Sequence, residues 1–69
     1  MNYIERMEKE LKELQERSEQ LDVCLYKSCV KLTGTEQSLM IDQLHYMRLY
    51  EATLKQRISY ARWLNNLNE

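Results

Sequence analysis

Residues 4–25 read IERMEKELKELQERSEQLDVCL, a stretch in which apolar side chains recur at alternating steps of three and four. The residues with this spacing, followed to the end of the pattern, are Ile4, Met7, Leu11, Leu14, Ser18, Leu21, Leu25, Ser28 and Leu32. Two apolar positions in every seven residues are typical of a helix that packs along one face as a coiled coil. The pattern therefore predicts a first helix over about residues 2–32.

A second pattern of the same kind follows Gly34, the only glycine of the chain. Its members are Met40, Leu44, Met47, Glu51, Leu54, Ile58, Ala61 and Leu64. We predict a turn at residues 33–35, in which Gly34 adopts the left-handed conformation and Thr35 caps the next helix. The second helix is predicted over about residues 36–65. Residues 1–69 would then form a single all-α domain, an antiparallel two-helix hairpin that resembles a coiled coil.

The start of the first helix and the register of the hairpin also follow from the sequence. Asn2 can cap the first turn, with Glu5 three residues later as in a capping box. Matching the two patterns across the turn places Leu14 near Leu54. Whether the helices pair within one chain or between chains is left open.

Three polar residues interrupt the apolar positions, namely Ser18, Ser28 and Glu51. Polar residues at such positions often determine register or oligomeric state. We expect Arg17 to reach Glu51 and to compensate its charge.

The chain has 69 residues, and a domain of this size has difficulty burying enough apolar surface alone. Several apolar residues of the second helix lie outside its heptad pattern: Leu39, Ile41, Tyr46, Leu49, Tyr50, Tyr60, Trp63 and Leu67. Exposed apolar patches of this kind mark interfaces. We therefore expect a homo-oligomer in which hairpins join into a helical bundle, mainly through the second helix.

Charge is nearly balanced over the whole chain, with a formal net charge of −1. Acids outnumber bases between Glu5 and Asp22, and bases outnumber acids between His45 and Leu64. In an antiparallel hairpin these opposite charges would meet along the sides of the apolar seam. The balance disfavours a nucleic-acid-binding protein, which needs a broad excess of Lys and Arg.

The two cysteines, Cys24 and Cys29, are five residues apart, which places them about 140° apart around a helix. We expect them not to form a disulfide with each other but to be buried as free thiols in a reducing compartment, and any redox role is left open. With one histidine, the chain offers no zinc motif, and we predict no metal and no cofactor. No apolar run suggests a signal peptide or a membrane span, so the expected location is a cytoplasm.

The second helix carries the candidate ligand-binding residues, which are Tyr46, Arg48, Tyr50, Lys55, Arg57 and Tyr60. Aromatic rings beside a guanidinium can stack on a nucleobase and hold a phosphate. The alternative is that the tyrosines pack in an interface with their hydroxyls at its rim, while the basic residues are solvated. No catalytic residues are predicted, because no nucleophile motif or phosphate-binding loop is present.

Two sets of residues resemble a family of small helical proteins from tailed bacteriophages, named after a relative in a gut crAss-like phage. The sets are Asn2-Tyr3-Ile4-Glu5-Arg6-Met7 with Glu10, Leu14, Arg17 and Leu21, and Leu39-Met40, Gln43-Leu44, Met47, Tyr50, Leu54 and Arg57-Ile58. The resemblance covers nearly the whole chain, departs from the family pattern at residues 24–26, and implies a phage or prophage protein made inside a bacterium. The activity of that family is not settled.

In architecture, the chain is similar to phage sponges that counter bacterial immunity by sequestering cyclic or ADP-ribose-derived nucleotides. The resemblance and the Tyr and Arg residues together predict a non-enzymatic protein that traps a small anionic signalling nucleotide between subunits. The alternative is a coiled-coil module that binds a host or phage protein and inhibits or scaffolds it.

Overall fold

The computed structural model describes residues 2–27 and 32–67. Across these two ranges the secondary structure consists of two α-helices without a strand: α1 spans Tyr3–Lys27 and α2 spans Gly34–Leu67. The helices pack lengthwise against each other, and the molecule measures 55 × 17 × 14 Å. The predicted all-α helical hairpin is confirmed, with both helices in one chain.

The start of α1 is capped as predicted. The backbone N–H of Glu5 donates to the side-chain oxygen of Asn2 at 2.8 Å, and the N–H of Arg6 donates to the Asn2 carbonyl at 3.1 Å. These bonds satisfy amides that have no partner within the helix itself.

The start of α2 differs from the prediction. The N–H of Glu36 donates to Oγ1 of Thr33 at 3.1 Å, and the N–H of Gln37 donates to the Thr33 carbonyl at 3.0 Å. Thr33, not Thr35, is therefore the cap, because its side chain reaches the amide three residues later. Gly34 becomes the first helical residue, and its φ is not positive. The predicted turn at 33–35 is thus wrong in its bounds and in the conformation of its glycine.

The predicted end of the first helix falls partly on residues 28–31, which lie outside the described residues. Ser28 and Cys29 are among these four residues. Leu32, its last predicted member, is not helical. At the other end of the molecule, α2 continues beyond the predicted residue 65 to Leu67.

The core is formed by the predicted seam. Its buried apolar residues are Met7, Leu14, Leu25, Leu44, Leu54 and Ile58. Leu54 is the most enclosed of them, with 0% of its surface exposed. Leu64 was expected to close the seam but is 38% exposed. It lies beside Tyr3 and Ile4, where α1 begins, so that helix offers little surface to cover it.

One polar pair lies within the core. The buried hydroxyl of Ser18 donates to the Glu51 carboxylate, and it also lies 3.1 Å from the Gln15 carbonyl oxygen. The expected pairing of Arg17 with Glu51 is wrong. Ser18 faces the second helix from the seam, whereas Arg17 is rotated by about 100° and is exposed. The Ser18–Glu51 contact agrees with the predicted register.

Opposite charges meet along one side of the seam, as expected. Arg48 Nη2 lies 3.1 Å from Asp22 Oδ2, and Arg62 Nη2 lies 2.8 Å from Glu8 Oε2. We refer to these four residues, with Lys55 between the two arginines, as the charged flank. Four of these five residues are exposed, and Asp22 is half-buried.

Cys24 is exposed, so the expectation of two buried thiols is wrong for this residue. It immediately precedes the seam residue Leu25 and therefore points to the side of the hairpin. In the part of the chain that is described, neither helix has the length and hydropathy of a membrane span.

Candidate functional site

The six predicted ligand-binding residues fall into two groups on opposite sides of α2. Tyr46, Tyr50, Arg57 and Tyr60 share one side, which we call the tyrosine face, and all four are exposed. Arg48 and Lys55 belong to the charged flank, about 120–180° away around the helix axis. A ligand bound to one hairpin therefore cannot touch both groups at once.

Helix α1 adds two residues to the tyrosine face. Arg57 Nη2 donates to the Tyr3 hydroxyl at 2.9 Å, and its guanidinium carbon lies 5.9 Å from the centre of the Tyr3 ring. The Tyr50 hydroxyl donates to the Glu10 carboxylate. Both contacts join residues from the same side of the two helices, and together they place Arg57 between two tyrosines and a carboxylate.

These contacts shift the pKa values of two groups on this side of the hairpin. The hydrogen bond to Glu10 raises the pKa of Tyr50, and desolvation and the charge of Glu10 act in the same direction against a smaller opposing effect of Arg57. Tyr50 is thus a neutral hydrogen-bond donor at physiological pH. The hydrogen bond to Tyr3 raises the pKa of Arg57, so its guanidinium stays positively charged.

An open groove of about 540 Å³ runs along the tyrosine face toward the start of α2. Its walls are Leu39, Asp42, Gln43, Tyr46, Met47 and Tyr50. The ring of Tyr46 also lies 5.7 Å from that of His45 between centroids, and the rings of Tyr60 and Trp63 are 5.8 Å apart. Tyr46 and Tyr60 remain 67% and 60% exposed. Broad aromatic surfaces are therefore available on both sides of Tyr50 and Arg57.

The charged flank is organised differently. Arg48 is bound to Asp22 and lines a groove with Tyr26, Ile41 and His45. Lys55 makes no ion pair within residues 2–27 and 32–67. Arg48 therefore stabilises the pairing of the two helices, and the tyrosine face is the better candidate for ligand binding.

The arrangement favours binding over catalysis. Tyrosine rings can stack on a flat base, and Arg57 can hold an anionic oxygen. In the described part of the chain no group of three or more His, Cys, Asp or Glu residues could hold a metal ion.

Tyr3 and Glu10 are not among the six predicted residues, although a signal for them is present in the sequence. They are seven residues apart on α1, as Tyr50 and Arg57 are on α2. Residues with a spacing of seven follow one side of a coiled coil, and residues on the same side of two antiparallel helices meet. The Tyr and Arg pattern alone directs attention to α2 and misses the contribution of α1.

The two packed helices define a small all-α hairpin protein with an exposed aromatic face. A family model described as Sequestin matches residues 1–60 of the 69-residue chain. The chain therefore belongs to the Sequestin family. The family name refers to sequestration, which indicates a binding, non-catalytic role in which another molecule is retained. No curated protein and no solved structure matches the chain.

Proposed function

We propose that this chain is a non-enzymatic phage accessory protein that sequesters a small anionic signalling nucleotide in pockets between subunits and so counters the immunity of its bacterial host. The observation that carries the proposal is Arg57, held between Tyr3 and Tyr50 on an exposed aromatic face. Membership of the Sequestin family supports retention of a ligand. The phage origin rests on the sequence resemblance.

The residues of the tyrosine face match the parts of a nucleotide. An exposed tyrosine ring offers a surface on which a base can stack. The guanidinium of Arg57 can form charge-assisted hydrogen bonds with a phosphate. Glu10 repels a phosphate but accepts hydrogen bonds from sugar hydroxyls, as acidic residues do for the ribose in dinucleotide-binding folds. The proposed ligand is therefore a nucleotide with both ribose and phosphate, of the cyclic or ADP-ribose-derived type.

A single hairpin would hold such a ligand weakly. The face is open to solvent, and small-molecule sites usually bury most of the ligand surface in a concave pocket. A second subunit over the tyrosine face would supply the missing wall. This is why we place the pockets between subunits of a homo-oligomer.

Titration calorimetry with cyclic dinucleotides and ADP-ribose derivatives tests the binding. We expect at least one of these ligands to bind, and Arg57→Gln to weaken that binding at least tenfold because it removes the cation. Lys55→Gln is the matched control, since it removes one positive charge from the opposite side of α2 and should change affinity less than twofold. Absence of heat across the panel, or equal losses in both variants, would refute the proposal.

The role in host immunity requires a test in cells. In bacteria with a defence system that signals through such a nucleotide, expression of the wild-type chain should restore phage plaques. Arg57→Gln should fail to restore them, whereas Lys55→Gln should act like wild type. If all three proteins restored plaques, the effect on host immunity would not depend on the tyrosine face.

A second candidate function is a module that binds and inhibits or scaffolds a host or phage protein. It is favoured by the exposed apolar residues of α2, among them Leu39, Leu49 and Trp63. A pull-down from bacterial lysate should then recover one stoichiometric protein, and Trp63→Ser should abolish the capture. Recovery of this chain alone would disfavour the module.

A further inference from the structure

The exposed side of α2 repeats the spacing of the core. Steps of three and four alternate through Leu39, Asp42, Tyr46, Leu49, Thr53, Gln56, Tyr60, Trp63 and Leu67. All nine residues are exposed, and at about 100° per residue they lie on the side of α2 roughly opposite its buried residues. We call this row the outer seam. It has the pattern of a second coiled-coil contact for which the hairpin contains no partner helix.

Five of the nine residues of the outer seam are arranged symmetrically about the middle one, Thr53, whereas the other four have no counterpart at the same distance. Tyr46 and Tyr60 each lie seven residues from Thr53, and Leu39 and Leu67 each lie fourteen residues from it. In a two-fold interface the same surface of each subunit meets itself, so an antiparallel copy centred on Thr53 would pair tyrosine with tyrosine and leucine with leucine.

We infer that a second copy of this chain docks antiparallel on the outer seam, with the two-fold axis passing at Thr53. Tyr46 then faces Tyr60 of the second copy. The hydroxyl of Thr53 already donates to the Leu49 carbonyl at 3.0 Å, so close approach at the axis leaves its donor satisfied. Asp42 lies beside Trp63 of the second copy, whose indole N–H can donate to the carboxylate.

The available area suits such a dimer. Tyr46, Tyr60 and Trp63 are each more than half exposed, as are Leu39, Leu49 and Leu67. Aromatic side chains contribute about 150–250 Å² each, so these six residues would bury on the order of 600 Å² per copy. A standard interface buries ~800 Å² per partner, which the flanking residues can complete.

The register of the hairpin indicates what would meet beside the axis. In the hairpin, Ser18 meets Glu51 in the seam, and Asp22 meets Arg48 beside it. The flanking pair thus lies four residues after the seam residue on α1 and three residues before it on α2. If Thr53 meets Thr53 of the second copy, the residue four positions after it, Arg57, lies opposite the residue three positions before it in the second copy, Tyr50.

Two copies of Arg57 and two of Tyr50 would then line one pocket, with the arginine Cα atoms about 12 Å apart along the helix axis. The pocket is symmetric, and each of its two cations lies near a Glu10 carboxylate bound to Tyr50. This suits a nucleotide whose two phosphates contact the guanidinium groups while its ribose hydroxyls contact the carboxylates. One ligand would bind per two chains. This part of the inference rests on the proposed function, whereas the dimer itself does not.

Disulfide trapping tests the dimer without any ligand. In a variant with Cys24→Ser and Cys29→Ser, Thr53→Cys places a thiol at the axis, where two copies come within disulfide reach. Oxidation should convert most of the chain to a covalent dimer of twice its 8.4 kDa mass. Gln56→Cys is the control, since its two copies lie about 9 Å apart along the helix axis and should not bond.

The outcomes are distinct. A helical Thr53→Cys chain that stays monomeric on oxidation would overturn the antiparallel dimer. Equal crosslinking of Thr53→Cys and Gln56→Cys would also overturn it, because parallel helices bring both positions together.

Calorimetry of the trapped dimer with ADP-ribose and with cyclic di-adenylate then examines the pocket. One ligand per two chains supports the shared site, and one ligand per chain overturns it. A trapped dimer that binds neither nucleotide would overturn the shared pocket and count against the proposed function, while the dimer would stand.

Discussion

The inner and outer faces of α2 have the same alternation of three and four residues, yet only the inner face is covered in the hairpin. The inner face is mainly aliphatic, and its polar residue, Glu51, has a partner in Ser18. The outer face is rich in aromatic residues and includes Asp42, Thr53 and Gln56. Buried faces of permanent pairs are more apolar, whereas surfaces that associate and separate carry aromatic residues among polar ones.

The difference explains why one helix can have two roles. The inner face holds α2 against α1 and fixes which sides of the helices meet. That pairing brings Tyr3 and Glu10 to Tyr50 and Arg57. The outer face borders this group and is free to contact another molecule. In this way the fold of the hairpin positions the candidate site without burying it.

Replacing Leu54 with Ala should have the largest effect, because Leu54 is fully buried in the inner face. Loss of a buried leucine side chain costs roughly 2–5 kcal/mol through lost burial and the cavity that remains. Typical domains are stable by only ~5–15 kcal/mol, so much of the helical signal should be lost. Urea titration followed by circular dichroism measures the change.

Leu49→Ala is the matched control, with the same chemical change on the outer face. In dilute protein, its urea midpoint should stay near that of wild type, because Leu49 is exposed in the hairpin. At concentrations where copies associate, the midpoint should fall below that of wild type. If Leu49→Ala and Leu54→Ala lowered the urea midpoint equally at high dilution, the inner and outer faces would not differ in their contribution to the stability of the hairpin.

The polar pair of the inner face predicts the next largest effect. Ser18→Ala removes the donor to Glu51 and leaves a half-buried carboxylate without that bond. The expected loss of unfolding free energy is roughly 1–3 kcal/mol. Replacing Ser18 and Glu51 together with Leu should recover this loss, since two apolar residues need no partner.

Assembly is the second measurement on this pair. Glu51→Leu should change the size of the assembly in light scattering more than it changes helix content, because polar seam residues restrict register and oligomeric state. A Ser18→Ala chain as stable as wild type, or unchanged scattering of Glu51→Leu, would show that the pair has no such role.

The heptad pattern was sufficient to predict the two helices and the faces through which they pack, because residues at alternating steps of three and four lie on one side of a helix. It left open whether the helices pair within one chain. It could not decide between Thr33 and Thr35 as the cap of α2, since both are good capping residues and both adjoin Gly34. The correct choice depends on where the chain enters the helix. That is a property of the turn rather than of the pattern.

The candidate site was predicted only in part. The angle of about 100° per residue correctly grouped Tyr50 with Arg57, and the same angle separates them from Arg48, which the sequence prediction nonetheless included. The partners of Tyr50 and Arg57 come from α1, and they follow only once the register fixes which sides of the helices meet. Spacing within one helix indicates which side of the hairpin a residue lies on, but not which residue of the other helix it meets.

The Tyr50–Glu10 contact predicts a dependence on alkaline pH. The pKa of Tyr50 is raised in the folded chain, so its contribution to stability is present below the unfolded pKa of about 10 and is lost as pH rises through the folded pKa. Between about pH 9 and about pH 11, the melting temperature of wild type should therefore fall more than that of Tyr50→Phe. Tyr60→Phe should behave like wild type. Parallel curves for wild type and Tyr50→Phe would contradict the assigned contact.

The smallest effect is expected on the charged flank, where Arg62 and Glu8 are 2.8 Å apart but largely exposed. Such surface pairs contribute below about 1 kcal/mol, because water and salt screen the attraction and both side chains lose rotational freedom. Arg62→Gln should lower the melting temperature slightly at low salt, and the difference from wild type should vanish near 1 M NaCl, where the Debye length is about 3 Å. Arg57→Gln, on the tyrosine face, should affect ligand binding instead. A loss of ligand affinity in Arg62→Gln as large as that in Arg57→Gln would mean that the two sides of α2 are not functionally distinct.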